Sequence, residues 1–300
     1  MHPLASQGPA WAELVALGAI DEATWEPGTT WLERHLPDGP HRDERIQWLT
    51  LPVASWVLRH VRGAQRRPLM VGLNAPQGAG KTTLTKSLVG VLAEFGVRAV
   101  SVSIDDFYLR RSEQLALASR HEGNPFLEHR GYPGTHDVEL GAKVLTALRD
   151  GHDVDVPRYD KSAHGGRGDR SDEVTPIRGQ VDLVLLEGWM LGFQQVEHVA
   201  DEQLRVPNEA LRAYAWWNER LDVMMSLRMK QSSQVIRWRI EAEQAMRASG
   251  KPGLSDAEVE DYVRRFLPAY ETWSDTLVKG PWSGERLMTL TLDAQRLPIR

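Results

Sequence analysis

The sequence contains no cysteine among its 300 residues. Disulfide bonds, thiolate metal sites and cysteine nucleophiles are therefore excluded. Apolar runs are short as well, and none approaches the roughly 20 residues that a membrane-spanning helix needs. The first residues lack a basic segment followed by an apolar core, so no signal peptide is expected, and the cytoplasm is the predicted compartment.

A strong charge of one sign is also lacking. The net charge of −5 gives no indication of a nucleic-acid partner or a membrane surface. The ten histidines include no His-x-x-x-His pair, and no Gly-x-Ser-x-Gly segment occurs. Zinc-dependent and serine-dependent hydrolysis therefore have no support in the sequence.

Tryptophan, in contrast, is frequent, with 11 residues. Five of them precede residue 66, namely Trp11, Trp25, Trp31, Trp48 and Trp56. Such a cluster can stack on bases or sugars, but aromatic side chains more often pack helices together, which is the interpretation favoured here. We predict that residues 1–66 form a helical extension packed on a main domain at residues 67–300.

From residue 68 onward, apolar strand-like runs alternate with helical patterns. The strands are expected at 68–74, 97–104, 181–186, 221–227 and 286–292, and helices at 81–92, 137–148, 229–249 and 255–279. The stretch 107–135 is expected to be irregular and 153–159 extended. This alternation predicts an α/β fold with a mostly parallel sheet covered on both faces.

The first strand leads into Ala75-Pro-Gln-Gly-Ala-Gly-Lys-Thr82, which fits a phosphate-binding loop at a helix N-terminus. Lys81 would reach the β- and γ-phosphates, and the Thr82 hydroxyl would bind Mg²⁺. The pattern G-x-x-x-x-G-K-[ST] has glycine where this chain has Ala75. A plain glycine-rich turn is the alternative. The predicted nucleotide-binding residues are Ala75, Pro76, Gln77, Gly78, Ala79, Gly80, Lys81, Thr82 and Thr83.

Two further strands end in carboxylates, at the sheet edge where ligands bind in α/β proteins. Asp105 follows the second strand and is the candidate base that accepts a hydroxyl proton. Its neighbour Asp106 offers the same group, and a capped turn is the alternative role for either. Glu187 ends the third strand and is the candidate Mg²⁺ ligand together with Thr82.

The segment 157–170 combines glycines with the cations Arg158, Lys161, Arg167 and Arg170. Mobile cations over a phosphate site would stabilise the transferred group and exclude water. A solvated basic loop is the alternative. Arg239, on a helix after the fifth strand, is a weaker candidate for the same task, since most helical arginines are exposed.

These motifs together resemble the P-loop small-molecule kinases that include uridine kinase, phosphoribulokinase and bacterial pantothenate kinase, and within them the plant and fungal D-glycerate 3-kinases. The resemblance rests on the segments already quoted and on 131–137, 238–243, 250–256 and 268–270. It implies the three-layer sandwich of P-loop NTPases and a kinase that uses ATP and Mg²⁺. In that group alanine is usual at the position of Ala75.

The resemblance also implies residue roles. Asp105 would be the base, Lys81 the phosphate ligand, Asp137 an acid facing the acceptor, and Tyr159 an aromatic contact to it. Because a small acid must have its charge matched, Arg158 and Lys161 are candidate partners of a substrate carboxylate.

D-Glycerate is the first choice of acceptor. The alternatives are a nucleoside, a pantothenate-like acid, or a nucleotide-binding regulator that turns over no metabolite.

Overall fold

The computed structural model describes residues 22–36, 38–250 and 253–299, so Trp11 lies outside the described residues. Seven strands are found in this part of the chain, namely β1 (Leu69–Asn74), β2 (Ala99–Ser103), β3 (Val154–Asp160), β4 (Asp169–Ile177), β5 (Leu183–Gly188), β6 (Val223–Met229) and β7 (Leu287–Leu292). Five of them form one sheet in the order β2-β5-β1-β6-β7. All its neighbours run parallel, which confirms the predicted α/β fold.

Nine helices of seven or more residues lie in the described chain. They are α1 (Glu22–His35), α2 (Leu51–Gly63), α3 (Lys81–Glu94), α4 (Arg111–Arg120), α5 (Val138–Arg149), α6 (Arg205–Asn218), α7 (Gln234–Ala248), α8 (Asp256–Arg264) and α9 (Leu267–Trp273). A short helix, Arg42–Arg45, and a π-helical turn, Ile46–Thr50, lead directly into α2. None of the described helices is long and apolar enough to cross a bilayer.

The two faces of the sheet carry separate apolar clusters. Neighbouring residues of a strand point to opposite faces, so Met70 packs in the cluster that holds Val144 of α5 and Trp217 of α6. Val71 packs in the other cluster, with Trp56 of α2. The sheet is therefore the middle of three layers.

The N-terminal helices belong to the second of these clusters. Trp25 is 6% exposed and Trp56 is fully buried, while Trp31 and Trp48 are half-buried. These positions match the packing role expected for the tryptophans. The domain boundary at residue 66 stays a prediction, because α1 and α2 share one apolar cluster with β1 and α3.

The structure differs from the sequence-based expectation in four segments. Helix α4 lies within the stretch expected to be irregular; it buries only Gln114 and Leu117, so its apolar pattern is weak. Helix α6 was not predicted. The helix expected at 255–279 is divided into α8, α9 and a 3₁₀ segment, with Pro268 in the first turn of α9.

The fourth difference concerns the basic segment 157–170. Strands β3 and β4 pair antiparallel, so most of this segment belongs to a two-stranded hairpin whose tip spans residues 161–168. Residues 157–160 and 169–170 are therefore paired strand ends, which was not expected, while the predicted mobility of the cations stays a prediction.

Candidate active site

Residues 75–80 turn the chain from β1 into α3 and form the phosphate loop. Gly78 and Gly80 have φ values of +77° and +92°, which side chains with a Cβ rarely adopt. A Cβ on Gly78 would also lie 2.8 Å from the Cβ of Trp238 on α7. Ala75 does not have a positive φ and is fully buried, so the core accommodates its methyl group.

Lys81 lies over this loop. Its Nζ donates to the carbonyl oxygens of Ala75 at 3.0 Å and Pro76 at 3.3 Å. Burial lowers the pKa of Lys81, while the charges of Glu187 and Asp105 act in the opposite direction. Among the described residues no carboxylate forms an ion pair with Lys81, so its ammonium can turn to an anionic phosphate.

Two side chains that the sequence did not single out hold the loop in place. The Tyr270 hydroxyl accepts a hydrogen bond from the Gln77 backbone N–H at 3.0 Å. Arg296 donates to the carbonyl oxygens of Gly78 at 2.7 Å and Trp238 at 3.0 Å. Tyr270 lies in a segment that carried the resemblance, whereas nothing in the sequence pattern indicated Arg296.

The strand register brings the two predicted carboxylates together. Ser103 at the end of β2 and Leu73 of β1 both lie opposite Glu187 of β5. Asp105 follows two residues after Ser103, in a 3₁₀ turn at Ile104–Phe107. Asp105 and Glu187 therefore lie beside the phosphate loop, at the carboxyl edge of the sheet where ligands bind.

Asp105 forms an ion pair with Lys161 at 2.6 Å, between Oδ2 and Nζ. Burial acts to raise the pKa of Asp105, but Lys161 and, more weakly, Lys81 lower it to about 2. The Asp105 side chain is 25% exposed and that of Lys161 is 58% exposed. The carboxylate is thus ionised at neutral pH and open to a ligand.

Asp106 has a different role from Asp105. It is buried, and its carboxylate accepts hydrogen bonds from Arg158 Nη1 at 3.0 Å and the Tyr159 backbone N–H at 3.1 Å. Burial raises its pKa, with Arg158 opposing. Asp106 therefore anchors strand β3, and Arg158 already has an acidic partner.

Glu187 is 8% exposed and its Oε2 has no hydrogen-bond partner. Burial raises the pKa of this carboxyl, and Lys81 opposes the shift. A buried carboxylate oxygen without a partner fits a hard cation such as Mg²⁺, and Thr82 is exposed in the first turn of α3. No cluster of three or more His, Asp or Glu side chains in the described chain could hold a metal, so phosphate oxygens and water would supply the remaining ligands of a Mg²⁺ ion.

The hairpin tip is fastened to the body of the protein by Arg130, which sequence reasoning missed. Its guanidinium donates to the carbonyl oxygens of Gly166 at 2.9 Å and Lys161 at 3.3 Å. It also lies 5.5 Å from the ring centroid of Tyr159. Arg130 is an isolated cation in the sequence, and no pattern marked it.

The remaining predicted residues fall into separate groups. Asp137 caps α5, accepting from the Leu140 N–H at 3.0 Å, and pairs with Arg170 at 3.2 Å. Arg239 pairs with Glu243 at 3.2 Å and its charge reaches Lys81. Arg167, in the hairpin tip, contacts the His129 ring at 3.0 Å. The structure thus gathers Lys81, Asp105, Lys161 and Glu187 at one point, and the roles of all these residues stay predictions.

The chain is similar to a known family and to several known proteins. The family model described as phosphoribulokinase / uridine kinase family matches residues 70–204. A chloroplastic D-glycerate 3-kinase from Arabidopsis thaliana is 41% identical over 246 residues, which are 77% of this chain and 54% of that protein. The chain therefore spans about half the length of the plant relative.

Two further relatives are covered over most of their length. An uncharacterized kinase of Schizosaccharomyces pombe, mug58, is 34% identical over 251 residues, 78% of this chain and 91% of that protein. The solved structure of D-glycerate 3-kinase from Cryptococcus neoformans aligns with a TM-score of 0.78 at 29% identity, covering 84% of this chain and 98% of that one. The chain belongs to the phosphoribulokinase/uridine kinase family.

Proposed function

We propose that the protein is an ATP- and Mg²⁺-dependent kinase that phosphorylates a hydroxyl of a small metabolite, D-glycerate being the acceptor of choice and 3-phosphoglycerate the product. One observation carries this proposal. Two ammonium groups and two carboxylates converge at the carboxyl ends of β1, β2 and β5, beside a phosphate-binding loop.

Each of these groups has a part in the transfer. The loop amides and Lys81 hold the β- and γ-phosphates of ATP. Asp105 accepts the proton of the acceptor hydroxyl while the hydroxyl oxygen bonds to the γ-phosphorus. The bond from that phosphorus to the β,γ-bridging oxygen breaks, and ADP leaves. Since the pKa of Asp105 is about 2, its main contribution before transfer is to orient the hydroxyl.

The residues that would hold Mg²⁺ are Thr82 and Glu187. Bound there, the ion would neutralise charge on the β- and γ-phosphate oxygens. The unpartnered Oε2 of Glu187 supports this assignment. We propose that Arg239 adds positive charge near the transferred phosphoryl group. Arg167 and Arg170, which lie on the hairpin, are proposed to do the same.

The choice of acceptor is proposed to depend on the negative charge of its carboxylate. Lys161 is half-exposed and held only by Asp105 among the described acidic groups, so it can exchange that partner for a substrate carboxylate. Such an exchange would also free Asp105 from the ammonium that lowers its pKa. The names of the Arabidopsis and Cryptococcus relatives support glycerate as the small acid. Asp137, Arg158 and Tyr159 are proposed to line the pocket that binds the acceptor.

The cytoplasm is the proposed compartment.

The proposal is tested by measuring ADP release with D-glycerate, L-glycerate, uridine and pantothenate, each with and without Mg²⁺. We expect D-glycerate to stimulate release most. Asp105→Asn should lower kcat by about 10²- to 10⁴-fold with little change in KM for ATP. Asp106→Asn is the matched control, since it removes the same charge from a group that anchors β3, and it should lower kcat far less.

Stimulation by uridine or pantothenate instead would keep the kinase and replace the acceptor. If no alcohol stimulated ADP release, the protein would be a nucleotide-binding regulator. Full activity of Asp105→Asn would show that another group receives the proton.

A further inference from the structure

His136 is a buried polar side chain beside the site that no proposed step uses. It is 4% exposed. Its ring stacks on that of Tyr108 with centroids 4.2 Å apart, and the backbones of the two residues form an antiparallel bridge. Tyr108 follows the turn that carries Asp105, so this stack forms part of the wall next to the proposed base.

The hydrogen bonds of Tyr214 favour one tautomer of His136. The Tyr214 hydroxyl lies 2.8 Å from His136 Nδ1. The phenol oxygen already accepts the backbone N–H of Gly134 at 3.0 Å and interacts with the backbone N–H of His136. Its own proton is therefore free to go to Nδ1, which leaves the ring proton on Nε2.

The Nε2–H group so defined has no partner. Nε2 is fully buried and makes no hydrogen bond. Burial without a partner costs free energy, and such groups in folded proteins call for an explanation in terms of a ligand, a water or a function. Burial lowers the pKa of His136 to about 4, so at neutral pH the group is an uncharged donor.

The position of this donor relates it to the acceptor. The charges of His136 and Asp105 influence one another, and the Asp105 charge also raises the pKa of Tyr108, after the larger effect of burial. The stack on Tyr108, three residues after Asp105, places the His136 ring beside the turn that carries the proposed base. A hydrogen bond donated to the reacting hydroxyl oxygen would hold the electron pair that has to attack phosphorus. We therefore expect His136 to donate to an oxygen of the acceptor that does not react.

We propose that His136 Nε2–H donates a hydrogen bond to the 2-hydroxyl oxygen of the hydroxy acid and so positions the 3-hydroxyl against Asp105. The inference rests on the proposed function. A neutral donor suits a neutral hydroxyl, whereas the carboxylate is matched by the Lys161 ammonium. His136 is thus a positioning and specificity residue rather than a proton carrier.

The test compares D-glycerate with 3-hydroxypropanoate, which keeps the carboxylate and the reacting hydroxyl and lacks the 2-hydroxyl. The wild type should lose on the order of 10- to 100-fold in kcat/KM on 3-hydroxypropanoate. His136→Phe keeps an aromatic ring against Tyr108 and removes the donor. It should lose a similar factor on D-glycerate and nothing further on 3-hydroxypropanoate, with KM for ATP unchanged. His136→Gln should recover part of the preference.

Equal losses of His136→Phe on both acceptors would overturn the proposal and assign His136 a purely structural role. If the wild type were active on uridine and not on D-glycerate, both this proposal and the glycerate assignment would fail. If His136→Phe did not fold, ¹⁵N-histidine NMR of the wild type decides. The Nε2–H resonance should shift with D-glycerate and not with 3-hydroxypropanoate, and identical spectra would overturn the assignment.

Discussion

Two adjacent aspartates have the same side chain but different environments, and we propose different roles for them. Asp105 is partly exposed and paired with the exposed Lys161, whereas Asp106 is buried and bound to Arg158 and the backbone of Tyr159. The same carboxylate can receive a proton in one place and anchor a strand in the next. The difference comes from which side chains surround each group.

The Lys161–Asp105 pair leads to a prediction on pH dependence. Lys161 lowers the pKa of Asp105 to about 2 against the effect of burial, so Lys161→Gln should raise that pKa, with burial acting in the same direction. A larger fraction of Asp105 is then protonated, and inactive as a base, as the pH falls. The pair is present in the free enzyme, whose ionisation is reported by kcat/KM rather than kcat. The ratio of kcat/KM at pH 5 to kcat/KM at pH 8 should therefore be lower in Lys161→Gln than in the wild type.

Lys161→Arg keeps the positive charge and serves as the control, with a pH profile like that of the wild type. Profiles of Lys161→Gln and wild type that coincide would show that Lys161 does not control the ionisation of Asp105.

At the scale of elements, the β3–β4 hairpin carries predicted acceptor contacts. At its tip, the backbone of Gly168 packs closely against the side chains of Tyr159 and Arg130. Gly168 has a φ of +80°, and a Cβ there would lie 2.5 Å from the Tyr159 ring and 2.7 Å from Arg130 Nη1. Arg130 in turn holds the carbonyl of Lys161. The placement of Lys161 and Tyr159 is therefore coupled to the absence of a side chain at residue 168.

Gly168→Ala should displace Tyr159 and Arg130, raising KM for the acceptor by about tenfold, the effect of roughly 1.4 kcal/mol. Gly165→Ala is the matched control in the same tip, because Gly165 also has a positive φ, +64°, but a Cβ there meets no atom within 4 Å. Both variants share the backbone strain of about 1 kcal/mol. Steady-state kinetics with equal effects of the two substitutions would contradict the role of the Tyr159–Arg130 contact.

At the scale of the whole molecule, the phosphate loop depends on both ends of the described chain. Helices α1 and α2 cover one face of the sheet beneath β1, and Arg296, beyond β7, holds the loop carbonyl of Gly78. Elements far apart in sequence thus complete one layered body around the site. We expect them to unfold together with the kinase core.

Leu58→Ala tests this expectation, since Leu58 on α2 is 1% exposed within the cluster under β1. It should lower the free energy of unfolding by roughly 2–5 kcal/mol. Urea unfolding followed by tryptophan fluorescence and by residual kinase activity should give one shared transition. Leu115→Ala on α4 is the control, because Leu115 is 51% exposed and should change stability by no more than about 0.5 kcal/mol. A separate early transition in Leu58→Ala would mean that the N-terminal helices fold independently.

Sequence reasoning succeeded where a pattern is local. Buried parallel strands are continuous apolar runs, so β1, β2, β5, β6 and β7 were all found. It failed at α4, whose apolar face is only two residues, and at β4, whose side chains are mostly exposed. Strand β4 is held by pairing with β3, and α4 by contacts such as the hydrogen bond from the Arg111 N–H to Asp169, and the apolar pattern of one element records neither.

The sequence by itself determined the phosphate loop, the strands that flank it and the carboxylates at two strand ends, because each lies within one short segment. Only the tertiary structure decided that Asp105 faces the site and Asp106 does not, since that depends on Arg158 and Lys161 from the hairpin. It alone brought Arg130 to the hairpin tip, His136 to Tyr108 and Arg296 to the phosphate loop. Their contacts join residues far apart in the chain, and such proximity follows from how the layers pack rather than from any spacing in the sequence.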